Sequence, residues 1–322
     1  MSIRTLFAAA LIVLTLIAGC EGASPTPTPV LPTATTAALP PLSGSGGGRI
    51  AFASKRDGNY EIYVMNADGT DQRRLTRDPH EDEHPAWSPD GTRIAFASSR
   101  HGHFDIYVMN ADGSNLRRLT TKGDAYYPAW SPDGTRIAFS YDGDIYVMNA
   151  DGSNRQRLTQ TGADMDVFDP HWSPDGTQIV CVVDSDPDPL SQEETIHVLN
   201  FQDALQSGEG SIANLRPLPR AGSHLNDRPN WSPKGSQITF SAKVDDYRGI
   251  YVVNADGTNL RRLTQAKDVH EFAPAWSPDG TQIVFQSDAD GNWDIYIMDA
   301  DGTGQQRLTT DVANDAKPDW VP

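Results

Sequence analysis

Residues 128–152 read PAWSPDGTRIAFSYDGDIYVMNADG, and close copies of this stretch recur along most of the chain. Each copy contains a tryptophan, and neighbouring copies place it 43, 42, 59, 45 and 44 residues apart. A repeat of about forty residues with several short strands is typical of one blade of a β-propeller. The tryptophans are Trp87, Trp130, Trp172, Trp231, Trp276 and Trp320.

Within one copy, the pattern predicts four strands. Pro132 and Gly134 favour a tight turn between the first and second strands. The second and third strands, 137–140 and 145–148, are apolar at nearly every position, which indicates sheets buried on both faces between neighbouring blades. The Asp-Gly pair at 151–152 predicts a hairpin to a short, charged fourth strand at 157–159.

The two ends of the repeat array indicate how it closes. The array begins at Arg49 with a second strand and ends at Trp320 with a first strand. We therefore expect an all-β, six-bladed β-propeller of four-stranded antiparallel blades over residues 49–322, in which the C-terminal strand completes the N-terminal blade. The six third strands begin at Ile62, Ile106, Ile145, Ile196, Ile250 and Ile295.

These residues resemble the TolB-type six-bladed propeller family, which has the same WSPDG turn, IAF strand, DIYVMNADG hairpin and RLT edge. The resemblance covers residues 49–322 and implies the fold. TolB itself has an additional α/β domain, and relatives of prolyl oligopeptidase add a hydrolase domain; we expect neither here. The sequence contains no GxSxG segment, which argues against an α/β-hydrolase nucleophile elbow.

The N-terminus predicts an exported lipoprotein. Arg4 precedes an apolar run from Leu6 to Ala18, which is short for a membrane span and typical of a secretory signal. The run ends in LIAGC, which resembles a bacterial lipobox with Cys20 as the lipidated residue. The predicted organisation is a signal peptide at 1–19, a lipidated cysteine and flexible Pro/Thr/Gly-rich linker at 20–48, and the propeller. The alternative is an uncleaved anchor with an incidental cysteine.

The location predicted in this way is the cell membrane, with the protein facing the periplasm or the cell exterior. The other cysteine, Cys181, lies in an apolar strand, and we interpret it as a small buried hydrophobic residue. The chain has 26 basic and 43 acidic residues, and a net charge of −17 excludes nucleic acid as a partner. This acidity favours solubility and cationic partners, although its commonest meaning is simply a well-solvated surface.

The segments that join the fourth strand of one blade to the first strand of the next converge at one end of the channel. They combine acidic and aromatic residues, which suit a cationic or peptide ligand. In TolB the corresponding face docks the peptidoglycan-associated lipoprotein, so the resemblance implies protein recognition. The alternative is that each acidic or Asn residue only serves its turn. The candidate partner-binding residues are Glu81, Asp82, His84, Asp124, Tyr126, Asp166, Phe168, Asn226, Asp227, His270, Glu271, Phe272, Asn314 and Asp315.

The function predicted from these features is a monomeric binding scaffold for an envelope protein or peptide, with no cofactor, metal or catalytic residue. The alternative is a glycan-active or lyase-type propeller enzyme with a metal site in the channel, built from loop histidines such as His84 and His270. A sensor for a small ligand is a third possibility. In blade four, long connections at 184–194 and 200–214 indicate either a partner site of its own or sequence drift.

A repeated arginine precedes each edge leucine, and its constant register predicts structural pairing with neighbouring blades rather than a functional site. These residues are Arg74, Arg118, Arg157, Arg262 and Arg307. The carboxylates at 288–294 alternate as in a calcium loop, but the glutamate that completes an EF-hand is missing, so we interpret this segment as a turn.

Overall fold

The computed structural model describes residues 48–162, 165–185, 194–206, 215–221, 226–244 and 246–321. These residues form six four-stranded antiparallel sheets and one short helix. The predicted signal peptide, Cys20 and nearly all of the linker lie outside the described residues. In each sheet the first strand lies at the channel and the fourth strand lies at the outer edge.

The strands of the first three blades follow the repeat closely. Blade 1 contains β1 (Arg49–Ser54), β2 (Glu61–Asn66) and β3 (Arg73–Arg74). Blade 2 contains β4 (Asp82–Trp87), β5 (Arg93–Ser98), β6 (Asp105–Asn110) and β7 (Arg117–Arg118). Blade 3 contains β8 (Ala125–Trp130), β9 (Arg136–Tyr141), β10 (Asp144–Asn149) and β11 (Gln156–Arg157).

Among the remaining blades, blade 4 departs most from the repeat. It contains β12 (Asp166–Trp172), β13 (Gln178–Asp184), β14 (Glu194–Asn200), the helix α1 (Phe201–Gln206) and β15 (Leu215–Pro217). Blade 5 contains β16 (Asn226–Trp231), β17 (Gln237–Val244), β18 (Tyr247–Asn254) and β19 (Arg261–Arg262). Blade 6 contains β20 (Glu271–Trp276), β21 (Gln282–Ser287), β22 (Asp294–Asp299) and β23 (Gln306–Arg307).

The last strand, β24 (Asp315–Val321), closes the ring as the sequence predicts. It pairs antiparallel with β1, with Ile50 opposite Trp320 and Arg49 opposite Val321. The sheet order is therefore β24-β1-β2-β3. Closure gives the N-terminal blade its inner strand and leaves no open inner edge at the junction.

The hydrophobic core lies between neighbouring blades. Trp87 of blade 2, for example, packs with Ile62 and Val64 of blade 1 and with Phe96 of its own blade. Strands β5 and β6 are buried at nearly every position, which confirms that both sheet faces are covered. The second strands bury Phe52, Phe96, Phe139, Phe240 and Phe285 completely.

Blade 4 has Cys181 at the position that these phenylalanines occupy. Cys181 is fully buried, and burial raises the pKa of its thiol, so it acts as a small hydrophobic residue, as predicted. Helix α1, which the sequence analysis did not predict, contributes Phe201 to the same cluster. The rings of Phe201 and Trp172 lie 4.5 Å apart. The added helix therefore supplies some of the apolar volume that a cysteine cannot.

The predicted pairing with neighbouring blades is wrong for four of the five repeated arginines, which pair with carboxylates of their own blade. Arg262 of blade 5 differs, because its charge acts on Glu271 of blade 6. Arg74 pairs with Glu61 at 2.7 Å, and Arg307 pairs with Asp294 at 2.6 Å. Each pair joins the fourth strand to the first residue of the third strand in the same blade. The register of the hairpin places the two side chains next to each other within one blade, so the pair needs no residue of a neighbouring blade.

Candidate binding site at the channel mouth

The channel has two different ends because neighbouring strands in each blade are antiparallel. One end carries the connections from second to third strands and from fourth to first strands; we call it the mouth face. The other carries the SPDG-type and NADG-type turns, and we call it the turn face. All predicted partner-binding residues lie at or near the mouth face.

A ring of six side chains surrounds the channel just inside the mouth face. Each residue precedes the proline of a first strand and has a φ between 52° and 57°, which non-glycine residues adopt rarely. All six line the same cavity inside the channel. We call this set the upper ring: His84, Tyr127, Asp169, Arg228, Ala273 and Lys317.

Contacts within the upper ring cross the channel. Nη2 of Arg228, in blade 5, donates a hydrogen bond of 3.0 Å to Nε2 of His84, in the opposite blade 2. Nε of Arg228 lies 3.6 Å from a carboxylate oxygen of Asp169. Nζ of Lys317 donates to Oε2 of Glu83 at 2.6 Å. Two cations and two carboxylates are therefore mutually paired at this level of the channel.

The protonation of His84 fits this arrangement. Its side chain is 8% exposed, and burial together with the nearby Lys317 and Arg228 charges lowers its pKa well below the usual range. The imidazole is therefore neutral at pH 7, which leaves Nε2 free to accept from Arg228. Burial raises the pKa of Asp169, although Arg228 opposes that shift.

Two of the predicted binding carboxylates are buried against arginines of their own blades. Both oxygens of Asp82 accept from Nη2 of Arg100, at 3.0 and 2.8 Å. Asp315 accepts from Nη2 of Arg56 at 2.8 Å. Both carboxylates are fully buried. Their contacts fix the loops that support the mouth, and their side chains do not reach the surface.

Three further predicted residues, in blades 5 and 6, are buried as well. Asp227 lies 3.3 Å from Nη2 of Arg248. Oδ1 of Asn226 accepts from the backbone N–H of Ala221 at 3.1 Å. Glu271 is 1% exposed. The negative charge that the sequence places at the mouth is thus largely inside the protein.

Two more predicted residues are half-buried and hold loops. Nδ1 of His270 accepts from the backbone N–H of Arg248 at 3.3 Å, and Oδ1 of Asn314 accepts from that of Trp293 at 3.2 Å. Glu81 is also half-buried, and its Oε2 accepts from the backbone N–H of Tyr60 at 2.7 Å.

Exposed groups at the mouth form a partly aromatic surface. Asp124 and Asp166 are exposed, while Tyr126 and Phe168 are half-buried. The ring of Tyr126 lies 4.8 Å from that of Phe104 and 6.0 Å from that of Tyr127, which lies 6.1 Å from Phe168. We call Phe104, Tyr126, Tyr127 and Phe168 the aromatic arc. Phe272, by contrast, is covered by Arg248, whose guanidinium lies 4.9 Å from the ring.

Two features of this surface were not predicted from the sequence. Phe104 lies in a connection between second and third strands, and these connections open on the same face as the loops that were considered. Val312 is 94% exposed in the loop before β24. The antiparallel strand order alone could have placed both residues at the mouth.

The described residues contain no group of three or more His, Cys, Asp or Glu side chains that could hold a metal ion. In the same part of the chain, no helix is long and apolar enough to cross a membrane.

Glu271 makes the stability of the protein depend on pH. Burial raises its pKa to about 7, against opposing effects of Thr264 and Arg262. Above the ordinary pKa of a glutamate, this group is ionised in the unfolded chain but still protonated in the folded protein. The free energy of unfolding therefore falls as the pH rises towards the folded-state pKa of about 7. Asp227 and Glu194, with pKa values raised to about 7 and about 8, act in the same direction.

We therefore expect Glu271→Gln to reduce the loss of unfolding free energy between pH 6.5 and 8 by about 1 kcal/mol. Urea denaturation of the parent and the variant at both pH values measures this difference. The window starts at pH 6.5 because the buried neutral His84 and His171 act in the opposite direction below it. Equal pH dependence in the two proteins would show that Glu271 ionises normally.

These features define a closed β-propeller repeat protein whose mouth presents an aromatic surface above a channel crossed by paired charges. The sequence profile of the TolB beta propeller domain matches residues 33–142 and 220–322, and the chain belongs to this family. No curated protein matches the chain.

Solved structures show the same fold. TolB from Acinetobacter baumannii is 21% identical with a TM-score of 0.70, over 85% of this chain and 67% of that one. A protein assigned as TolB from Agrobacterium tumefaciens is 23% identical with a TM-score of 0.60, over 82% of this chain and 88% of that one. An oligogalacturonate lyase in complex with manganese is 17% identical with a TM-score of 0.54, over 83% and 74%. At these identities the similarity concerns the fold.

Proposed function

We propose that this protein is a membrane-anchored, extracytoplasmic scaffold that binds an envelope protein or peptide through its mouth face. The observation that carries the proposal is the aromatic arc, which places half-exposed Tyr126 and Phe168 beside exposed Asp124 and Asp166. Accessible aromatic side chains supply apolar contact area at low entropic cost. Membership in the TolB propeller family supports a role in protein recognition.

The partner segment that this surface suits combines apolar and basic side chains. The exposed carboxylates pair with the basic groups, and the aromatic arc contacts the apolar groups. Val312, in the connection between blades 6 and 1, is a separate exposed apolar side chain on the same face. The buried carboxylates add little, because Arg56, Arg100 and Arg248 already offset their charges.

Capture from an envelope extract tests the mouth face. We expect the parent protein to retain a specific protein that the triple variant Asp124→Lys/Tyr126→Ser/Phe168→Ser loses by at least about tenfold, because central aromatic anchors dominate interface energies. The matched control, Leu116→Ser/Lys234→Asp, removes an exposed apolar side chain and reverses a charge on the turn face. Equal capture by all three folded proteins, or equal loss from both variants, contradicts a site at the mouth.

We further propose that residues 1–19 are a lipoprotein signal peptide, that Cys20 is lipidated and that the linker holds the propeller away from the membrane. The parent protein should lack residues 1–19 and carry the diacylglyceryl mass on Cys20, and Cys20→Ser should lack that mass. Mass spectrometry of both proteins measures these differences. A parent protein that keeps residues 1–19 and carries no diacylglyceryl group would support the uncleaved-anchor alternative.

A further inference from the structure

A second ring lies deeper in the channel, where each first strand has one residue between its proline and its tryptophan. Three blades have alanine at this position, and three have a polar residue. All six residues line a cavity of about 380 Å³ below the upper ring. We call them the lower ring: Ala86, Ala129, His171, Asn230, Ala275 and Asp319.

The polar residues of the lower ring share one structural contact. Each accepts a hydrogen bond from the backbone N–H of the tryptophan in the next blade. Oδ2 of Asp319 accepts at 2.7 Å, Oδ1 of Asn230 at 3.2 Å and Nδ1 of His171 at 3.3 Å. Because a neutral amide makes this bond in blade 5, the negative charge of Asp319 is not needed for it.

Among the described residues, Asp169 and Asp319 are the carboxylates that line the cavity, and Asp319 differs in having no cationic partner there, whereas Nε of Arg228 lies 3.6 Å from Asp169. The first-strand carboxylates Asp82 and Asp315 also pair with arginines. Burial raises the pKa of Asp319 to about 6, and the backbone N–H groups of Trp87 and Trp320 oppose that shift. A carboxylate held in this way favours a cation that approaches from the cavity.

The two cations of the upper ring, which forms the roof of the cavity, already have carboxylate partners. Arg228 lies against Asp169, and Lys317 is bonded to Glu83, so the roof carries no excess charge. His171 is neutral at pH 7 because burial lowers its pKa to about 4. The charge left in the cavity at pH 7 is therefore the negative charge of Asp319.

The rest of the cavity is largely apolar. Its walls include the six tryptophans and the three lower-ring alanines, and towards the turn face it is bordered by the prolines of the SPDG-type turns. These are Pro89, Pro132, Pro174, Pro233 and Pro278. A single carboxylate in an apolar cavity suits an organic cation better than a metal ion, which requires several oxygen or nitrogen ligands.

We propose that this cavity binds a small organic cation, a protonated amine with a short apolar body, whose ammonium group pairs with Asp319. The amide oxygen of Asn230 and the imidazole of His171 lie in the same ring as further acceptors for its N–H groups. This site lies on the far side of the upper ring from the mouth face and does not depend on protein binding there.

Isothermal titration of the full chain with n-butylammonium chloride at pH 7.5 tests the proposal. We expect one binding site, with neutral n-butanol at least about tenfold weaker because it lacks the charge. Asp319→Asn should weaken n-butylammonium binding by about ten- to a hundredfold while keeping the bond to Trp87, as Asn230 keeps its own bond to Trp276. Asp175→Asn, on an exposed turn, is the control that should bind as the parent does.

Asn230→Asp provides an independent variant, because it adds a second carboxylate to the same cavity and should tighten n-butylammonium binding. This variant decides the question if Asp319→Asn does not fold. The proposal is overturned if the parent does not bind n-butylammonium, if Asp319→Asn binds it equally well, or if Asn230→Asp fails to tighten binding. It is also overturned if Mg²⁺ or Ca²⁺ binds at Asp319 and n-butylammonium does not displace it.

Discussion

Deleting residues 315–322 from the full chain should abolish cooperative unfolding. The deletion removes β24, the inner strand of blade 1, and with it Trp320 and Val321, which are 7% and 3% exposed. It also leaves Arg56 without its buried partner Asp315 and exposes the paired edge of β1. We expect a loss of more than about 5 kcal/mol, comparable with the whole stability of a typical domain.

Thermal unfolding followed by circular dichroism measures this effect. The control is the same deletion with a peptide of residues 315–322 added in excess, which should restore part of the transition by pairing with β1. A truncated chain that melts cooperatively within a few degrees of the parent would show that the ring does not depend on β24.

Arg228→Met should destabilise the protein by about 3 kcal/mol at pH 7. The substitution leaves the half-buried Asp169 carboxylate without the guanidinium beside it and removes the donor to His84. The double variant Arg228→Met/Asp169→Asn should recover most of this loss, because it removes both charges together. Urea denaturation of the parent, both single variants and the double variant measures the coupling.

Arg117→Met is the matched control for this cycle. Arg117 is exposed, and its hydrogen bond of 3.3 Å joins it to the backbone oxygen of Asp151. We expect it to change the unfolding free energy by less than about 0.5 kcal/mol. If Arg228→Met is as mild as Arg117→Met, the charges across the channel do not stabilise the ring.

The fold could be predicted because its determinants are local and repeated. Turn residues such as Pro132 and Gly134 mark the strand ends, and apolar runs such as 137–140 show that both sheet faces are buried. The unmatched strands at Arg49 and Trp320 then require closure. Helix α1 was missed because its six residues lie in an insertion that no other blade repeats.

The candidate site was less predictable because whether a carboxylate is buried or exposed depends on the residue with which it pairs. A local signal did exist for two of them: Arg56 and Arg100 follow the second strands at the same repeat position, and both pair with the first acidic residue of a first strand. The contact between Arg228 and His84 had no such signal. It joins residues 144 positions apart in opposite blades and arises only when the ring closes.

Site-specific photo-cross-linking in the intact envelope tests the mouth face most directly. A photoreactive amino acid is placed at Tyr126, Phe168 or Val312, and at Leu116 on the turn face as the control. We predict a discrete cross-linked product with the same partner protein from the mouth positions and none from Leu116. Products from Leu116 alone, or none from any folded variant, would contradict protein recognition at the channel mouth.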